Sequence, residues 1–240
     1  MNSPCHGAAR AQHPAPAPLF TTVLCDLDGT LIDSGRDIAV AFQWALRRLS
    51  DDEVPSETAI AQHIGKPLEV MAYELGYTFS VKHLATFLDS YRRYYAIHCT
   101  RHTQPYAGVT DTLEALSTTT FGVVTTKYQG QAEVVLRQLK MTHYFRHIQG
   151  WQPGLRLKPA PDTVTTTLEA LQCHPEQALM VGDMPVDIQA GKAAYVKTCA
   201  VTYGFGNLEE LRACEPDYCI ASFHHLAAIV HREDGRGQRN

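Results

Sequence analysis

Four short apolar runs punctuate the chain: Val23, Leu24 and Cys25; Gly122, Val123 and Val124; Ala178, Leu179, Met180 and Val181; and Thr198, Cys199, Ala200 and Val201. Each has strand length and little polar alternation, as expected of parallel strands buried on both faces. Between the later runs the period becomes helical. Val109, Leu113 and Leu116 form one apolar stripe, and Val134, Val135 and Leu139 a second. Val164, Leu168 and Leu171 form a third, opened by Pro161 near its first turn. Strand and helix in alternation predict an α/β fold, a Rossmann-like parallel sheet with helices on both faces.

The stretch from Gly35 to His102 breaks the alternation. It reads as helices only, over residues 37–49, 57–64, 67–75 and 80–98, with Gly65 and Gly76 placed as helix stops. A helical block directly after the first strand predicts an inserted all-helical cap domain. The expected organisation is an α/β core over 20–36 and 104–231, a cap over 37–103, and disordered tails over 1–19 and 232–240.

With 240 residues the chain is long enough for one large domain carrying a smaller insertion. A net charge of -4 without a long basic run argues against nucleic acid or a membrane surface as partner. No apolar stretch reaches bilayer length, and the N-terminal tail lacks the apolar region of a secretory signal. Seven cysteines, an odd number with no paired spacing, point to a reducing, cytoplasmic compartment.

Candidate chemistry gathers where the strands end. In Val23-Leu24-Cys25-Asp26-Leu27-Asp28-Gly29-Thr30, side-chain alternation points Asp26 and Asp28 the same way, toward the crevice beyond a parallel sheet where ligands bind. Two carboxylates so placed call for Mg²⁺ or for one of them kept protonated; a plain Asp-Gly turn is the competing reading. Thr125 and Thr126 end a second strand, Lys158 precedes the helix opened by Pro161, and Asp183 and Asp187 follow a third strand. A hydroxyl, an ammonium and a metal held by carboxylates can together neutralise a transferring phosphoryl group.

These four segments, in this order, resemble the signature of the haloacid dehalogenase-like hydrolases over roughly residues 21–230. The helical insertion after Asp-Gly-Thr-Leu-Ile-Asp-Ser looks like the cap of the phosphoglycolate phosphatase and beta-phosphoglucomutase branch. Val124-Thr125-Thr126-Lys127 is similar to the bacterial pyrophosphatase of that branch, since the commoner form has Asn where Thr126 stands. The resemblance implies that Asp26 is a nucleophile forming an aspartyl-phosphate and a Mg²⁺ ligand. It implies that Asp28 is the acid and base, lending its backbone carbonyl to the metal. Gly29, Thr125, Thr126 and Lys158 would bind phosphate, with Lys158 also balancing charge on Asp26. Asp183 would bind Mg²⁺, and Asp187 would act through a metal-bound water or by orienting Lys158. The family usually has Gly where this chain has Tyr195, so a positive φ there would strain the backbone.

The expected partner is a small phosphorylated molecule, and the expected assembly a monomer or homodimer. Inorganic pyrophosphate is the alternative substrate; a phosphomutase or an idle binding scaffold is less favoured, and dehalogenation does not call for a second acid at Asp28. Lys66, in the loop after Gly65, is the expected cap contact to substrate. His143 and His147 read as a surface pair on one helix face rather than metal ligands, and Tyr91-Arg92-Arg93-Tyr94-Tyr95 as helix packing rather than a nucleic-acid site.

Overall fold

The computed structural model describes residues 18–49 and 53–231. The tails expected from the sequence fall outside it, except that Leu19 donates its N–H to the Val230 carbonyl at 2.8 Å. The strands are β1 (Thr22–Cys25), β2 (Ile32–Asp33), β3 (Gln104–Pro105), β4 (Thr120–Tyr128), β5 (His147–Trp151), β6 (Ala178–Gly182), β7 (Lys197–Val201) and β8 (Tyr218–Ile220). Six of them form one parallel sheet in the order β5-β4-β1-β6-β7-β8. β1 and β6 are buried throughout. Alternation explains how: Val23, Cys25, Val123 and Val181 enter one apolar cluster, while Leu24, Val124 and Met180 enter another on the opposite face.

Helices α5 (Val109–Ala115), α6 (Gln129–Gln138), α7 (Asp162–Leu171), α8 (Pro185–Ala193), α9 (Leu208–Ala213) and α10 (Leu226–Val230) connect or flank the strands. Four more, α1 (Gly35–Arg47), α2 (Glu57–Ala61), α3 (Leu68–Glu74) and α4 (Val81–His98), follow β1. The chain enters and leaves this helical block through the antiparallel pair β2 and β3. α1 buries Ile38, Ala41, Phe42 and Ala45, and α4 buries Phe87, Tyr91 and Tyr95, both at helical spacing. Phe42 and Phe87 meet edge to face at 5.0 Å. Ser56 and Ser80 cap α2 and α4, each accepting from a backbone N–H at 3.2 Å.

His143 and His147 do not share a helix. His143 sits in a single 3-10 turn and His147 begins β5, so a two-residue break replaces the expected face. Among the described residues no helix is long and apolar enough to cross a membrane, and the six described cysteines are free. Tyr195 ends α8 at φ +59° with 87% of its surface exposed, so the positive φ anticipated there is present.

Candidate active site

Three neighbouring strands bring the chemistry together. β4, β1 and β6 run parallel, so Thr125, Asp26 and Asp183 all lie at their carboxyl ends. A bulge in β4 between Val124 and Tyr128, opposite β5, lies across the segment that carries Thr125, Thr126 and Lys127.

Asp26 is 6% exposed, and Lys158 holds it. The buried Lys158 ammonium has three protons and spends one on each of three acceptors: Asp26 Oδ1 at 2.7 Å, Asp187 Oδ1 at 2.5 Å and the Val124 carbonyl at 3.0 Å. Asp187 Oδ2 accepts the Met184 N–H at 2.9 Å, at the start of α8. Asp183 is fully buried; Thr30 Oγ1 donates to one oxygen at 2.7 Å and the Phe205 N–H to the other at 2.8 Å. Two glycines make room for it. A Cβ on Gly29, whose φ is +91°, or on Gly204 would collide with the Asp183 carboxylate.

Oxygens of Asp26, Asp183 and Asp187 lie within 4.8 Å of one another. Three buried carboxylates thus face one ammonium, and the electrostatics carry that excess. Burial drives the Asp26 pKa well above its ordinary value; Lys158 opposes the shift, while Asp187 and Asp183 add to it. Burial, then Asp187, pushes Asp183 up to about 7. Burial alone would lower Lys158, but Asp187 and Asp26 outweigh it and raise its pKa. Uncompensated buried negative charge beside all-oxygen donors suits a hard divalent cation. Asp26 and Asp183 fit such an ion directly. Asp187 fits the orienting role, because its Oδ1 accepts from the Lys158 ammonium that also holds Asp26.

Asp28 shares the pocket with Asp26 but not that cluster. Ser34 Oγ donates to its Oδ1 at 2.5 Å, and Lys127 Nζ lies 2.9 Å from its Oδ2. Sequence reasoning missed Lys127. Period-2 alternation, which pairs Asp26 with Asp28, equally pairs Thr125 with Lys127 along β4. Its ammonium is buried 4.5 Å from the centre of the Tyr95 ring on α4. Burial would depress its pKa, but Asp28 raises it.

The remaining predicted residues spread along a pocket of about 210 Å³ between the strand ends and helices α3 and α4. Thr125 is 1% exposed and lines it. Thr126 Oγ1 donates across it to the Gly65 carbonyl at 3.3 Å. Lys66 borders the pocket too, but Glu74 takes its ammonium with both oxygens, at 2.9 and 2.7 Å, and also meets His63 at 2.6 Å. The expected free cation is therefore already paired. Arg92, set aside as packing, lines the same pocket.

Residues 23–201 match the family described as haloacid dehalogenase-like hydrolase. Over 210 residues, 87% of this chain and 95% of the relative, the chain is 34% identical to a phosphoglycolate phosphatase of Aquifex aeolicus. It is 30% identical over 213 residues to the pyrophosphatase PpaX of Anoxybacillus flavithermus, covering 88% of this chain and 97% of that one. Its fold is similar to the crystal structure of a predicted phosphoglycolate phosphatase from Haemophilus somnus, with a TM-score of 0.80 and 25% identity over 88% of this chain and 98% of that one.

Proposed function

The chain belongs to the haloacid dehalogenase-like hydrolase family and is a phosphatase of it, and we propose that it removes phosphate from a small metabolite through a covalent intermediate on Asp26. One observation carries the reading. Asp26 lines the pocket while its carboxylate is held from behind by Lys158 and flanked by Asp183 and Asp187.

In the first step an Asp26 oxygen attacks phosphorus in line, and the bond to the leaving oxygen breaks as Asp28 gives that oxygen a proton. In the second, water attacks the aspartyl-phosphate, Asp28 recovers a proton from the water, and Asp26 is released with inorganic phosphate. The Thr125 hydroxyl and the Thr126 backbone amide hold the phosphoryl oxygens, while Lys158, its three protons already committed, balances their charge at short range. The Gly29 N–H is given to the Ile32 carbonyl at 2.9 Å instead of the phosphate. Lys158 also keeps Asp26 aligned, and Asp187 keeps Lys158 aligned. Mg²⁺, held by Asp26, Asp183 and the Asp28 carbonyl, would supply charge neutralisation for the phosphoryl group and for Asp26 itself.

On this reading residues 37–103 act as a cap over a core of 20–36 and 104–231. The enzyme works in the cytoplasm on a small phosphorylated partner, without nucleic acid or membrane, as a monomer or homodimer. Phosphoglycolate-like substrates come first, on the 34% identity to a phosphoglycolate phosphatase. Inorganic pyrophosphate is a second reading, favoured by Thr126 and by the PpaX relative. A phosphate-release panel tests both, with phosphoglycolate, pyrophosphate, sugar phosphates and nucleotides. Release should require Mg²⁺, stop with chelator and stop in Asp26→Asn. Full activity in excess chelator, or in that variant, overturns the mechanism.

A further inference from the structure

Two charged side chains that line the pocket have no ion-pair partner among the described residues, Glu69 on α3 and Arg92 on α4, and the cation is informative because every other one is paired. Lys158 is saturated by Asp26, Asp187 and a carbonyl; Lys127 is paired with Asp28; Lys66 is paired with Glu74. Arg92 is different. Its guanidinium carbon sits 5.1 Å from the centre of the Tyr128 ring, and among the described residues it meets no carboxylate. Tyr128 immediately precedes α6, and Gln131 stands in the first turn of that helix; both border the pocket. Gln131 is 9% exposed and its side-chain Nε2 has no hydrogen-bond partner among the described residues. An unpaired guanidinium, a buried amide donor without a partner and the first turn of a ten-residue helix therefore border the same pocket. All three favour an anion, and Asp26 marks the other functional end of the same pocket.

We infer that Arg92, with Gln131 and the first turn of α6, forms a second anion subsite, so that the substrate class is a small phosphate ester or anhydride bearing another anionic group. The inference rests on the reading of Asp26 as the site of phosphoryl transfer. The planar guanidinium suits either a carboxylate or a second phosphate, because both accept two parallel N–H bonds. Size is set by the pocket: about 210 Å³ is below the roughly 300–1,000 Å³ of sites for drug-sized ligands, which favours a short tail over a nucleoside. Tyr128 and Trp151, their ring centres 6.3 Å apart and tilted to each other, border that space.

The test compares wild type, Arg92→Met and Arg92→Lys. Methionine removes the charge but keeps an unbranched chain over Tyr128. With Mg²⁺ present, Arg92→Met should raise KM for phosphoglycolate, for pyrophosphate or for both by roughly tenfold to a hundredfold, the scale of a lost charge-assisted contact. Turnover of p-nitrophenyl phosphate, whose tail is neutral, should stay within about twofold. Arg92→Lys should recover part of the loss, and the substrate that responds names the second anion as carboxylate or phosphate. Calorimetric binding of methylenediphosphonate, which cannot be hydrolysed, reads the subsite without turnover: Arg92→Met should weaken it while leaving inorganic phosphate unchanged. Equal effects on tailed and neutral substrates, or none on any, overturn the subsite even if phosphate is released. Arg92-dependent bisphosphonate binding in a protein that releases no phosphate from any substrate would instead overturn the phosphatase reading and leave the subsite standing.

Discussion

Asp37, where the helices leave the sheet, and Asp183, at the strand ends, are both buried aspartates with both oxygens hydrogen-bonded, yet their pKa values move in opposite directions. Burial would raise Asp37, but donors from His102 and Thr103 outweigh it and lower the pKa. Four bonds, each 2.8 Å, reach its two oxygens from the His102 N–H and ring and from the Thr103 N–H and hydroxyl. Asp183 receives two neutral donors, but burial, then Asp187, outweighs them and its pKa rises to about 7. One carboxylate is satisfied by the protein alone. The other belongs to a group of three carboxylates that faces one ammonium, an excess of negative charge that a cation or a retained proton would balance. That contrast separates a carboxylate used to build from a set kept for chemistry.

The contrast is broken most directly at Asp26. Asp26→Asn removes a buried negative charge, so thermal stability should hold or improve, while kcat falls by roughly a thousandfold or more on every substrate. A uniform loss separates this end of the pocket from Arg92, where only tailed substrates should respond. Activity within tenfold of wild type, measured by phosphate release, would remove Asp26 from the mechanism.

Lys127 tests the ground between the two. Its partner Asp28 is pocket-facing, but the pair is nearly as enclosed as Asp37. Lys127→Met leaves Asp28 with Ser34 alone and should cost about 3 kcal/mol in urea unfolding, the scale for breaking a buried ion pair. The kcat should fall for tailed and neutral substrates alike if Asp28 is the acid and base proposed above, because its carboxylate loses its position. A stable variant with unchanged kcat would mean that the pair does no more than fill space.

At Asp37 the expectation is structural only. Asp37→Ala should lose on the order of 3 kcal/mol, since it leaves several donors unpaired at the joint of α1 and β3. Asp37→Asn gives the pH test. The native pKa lies below the unfolded value of about 3.9, so the stabilisation is full above that value and disappears as pH falls through the native one. The stability gap between wild type and Asp37→Asn should therefore be widest at neutral pH and close below about pH 4. A gap that widened in acid would reverse the assignment.

What the sequence disclosed follows the same division. Strands β1, β4, β6 and β7 were legible because they are apolar on both faces, and the carboxylates just beyond them follow from strand direction. β5, with His147 and Gln149 in it, and the three-residue edge strand β8 carry no such run and were missed. β4 reads from the sequence as ending at Thr125 and Thr126 but runs on to Tyr128, which hid Lys127 inside a strand. The cap-side wall was least legible. Whether Lys66 or Arg92 is the free cation depends on Glu74, eight residues from one of them, and on Tyr128, which the fold brings to the other. No local pattern encodes those pairings. Tyr95 and Tyr91 were placed on the apolar stripe of α4, and the structure buries both.

Tyr195 gives the smallest and cleanest expectation, because it asks whether strain at one end of α8 reaches the chemistry at the other. The helix carries Asp187 in its first turn and ends in a reversal closed by the Val196 N–H on the Gly191 carbonyl, at 2.9 Å. That reversal puts Tyr195 at φ +59°, a conformation costing an L-residue roughly 1–2 kcal/mol. Its ring is mostly in solvent, so little packing offsets the cost. Glycine adopts this φ freely but gives back about 0.5–1 kcal/mol through the entropy of the unfolded chain. Tyr195→Gly should therefore stabilise by about 0.5 kcal/mol in urea unfolding. Asp187 is fixed locally, by Lys158 and the Met184 N–H, so kcat and KM should not move. A measurable change in kcat would mean that α8 transmits strain along its length into the carboxylate cluster, and that the tyrosine belongs to the catalytic machinery after all.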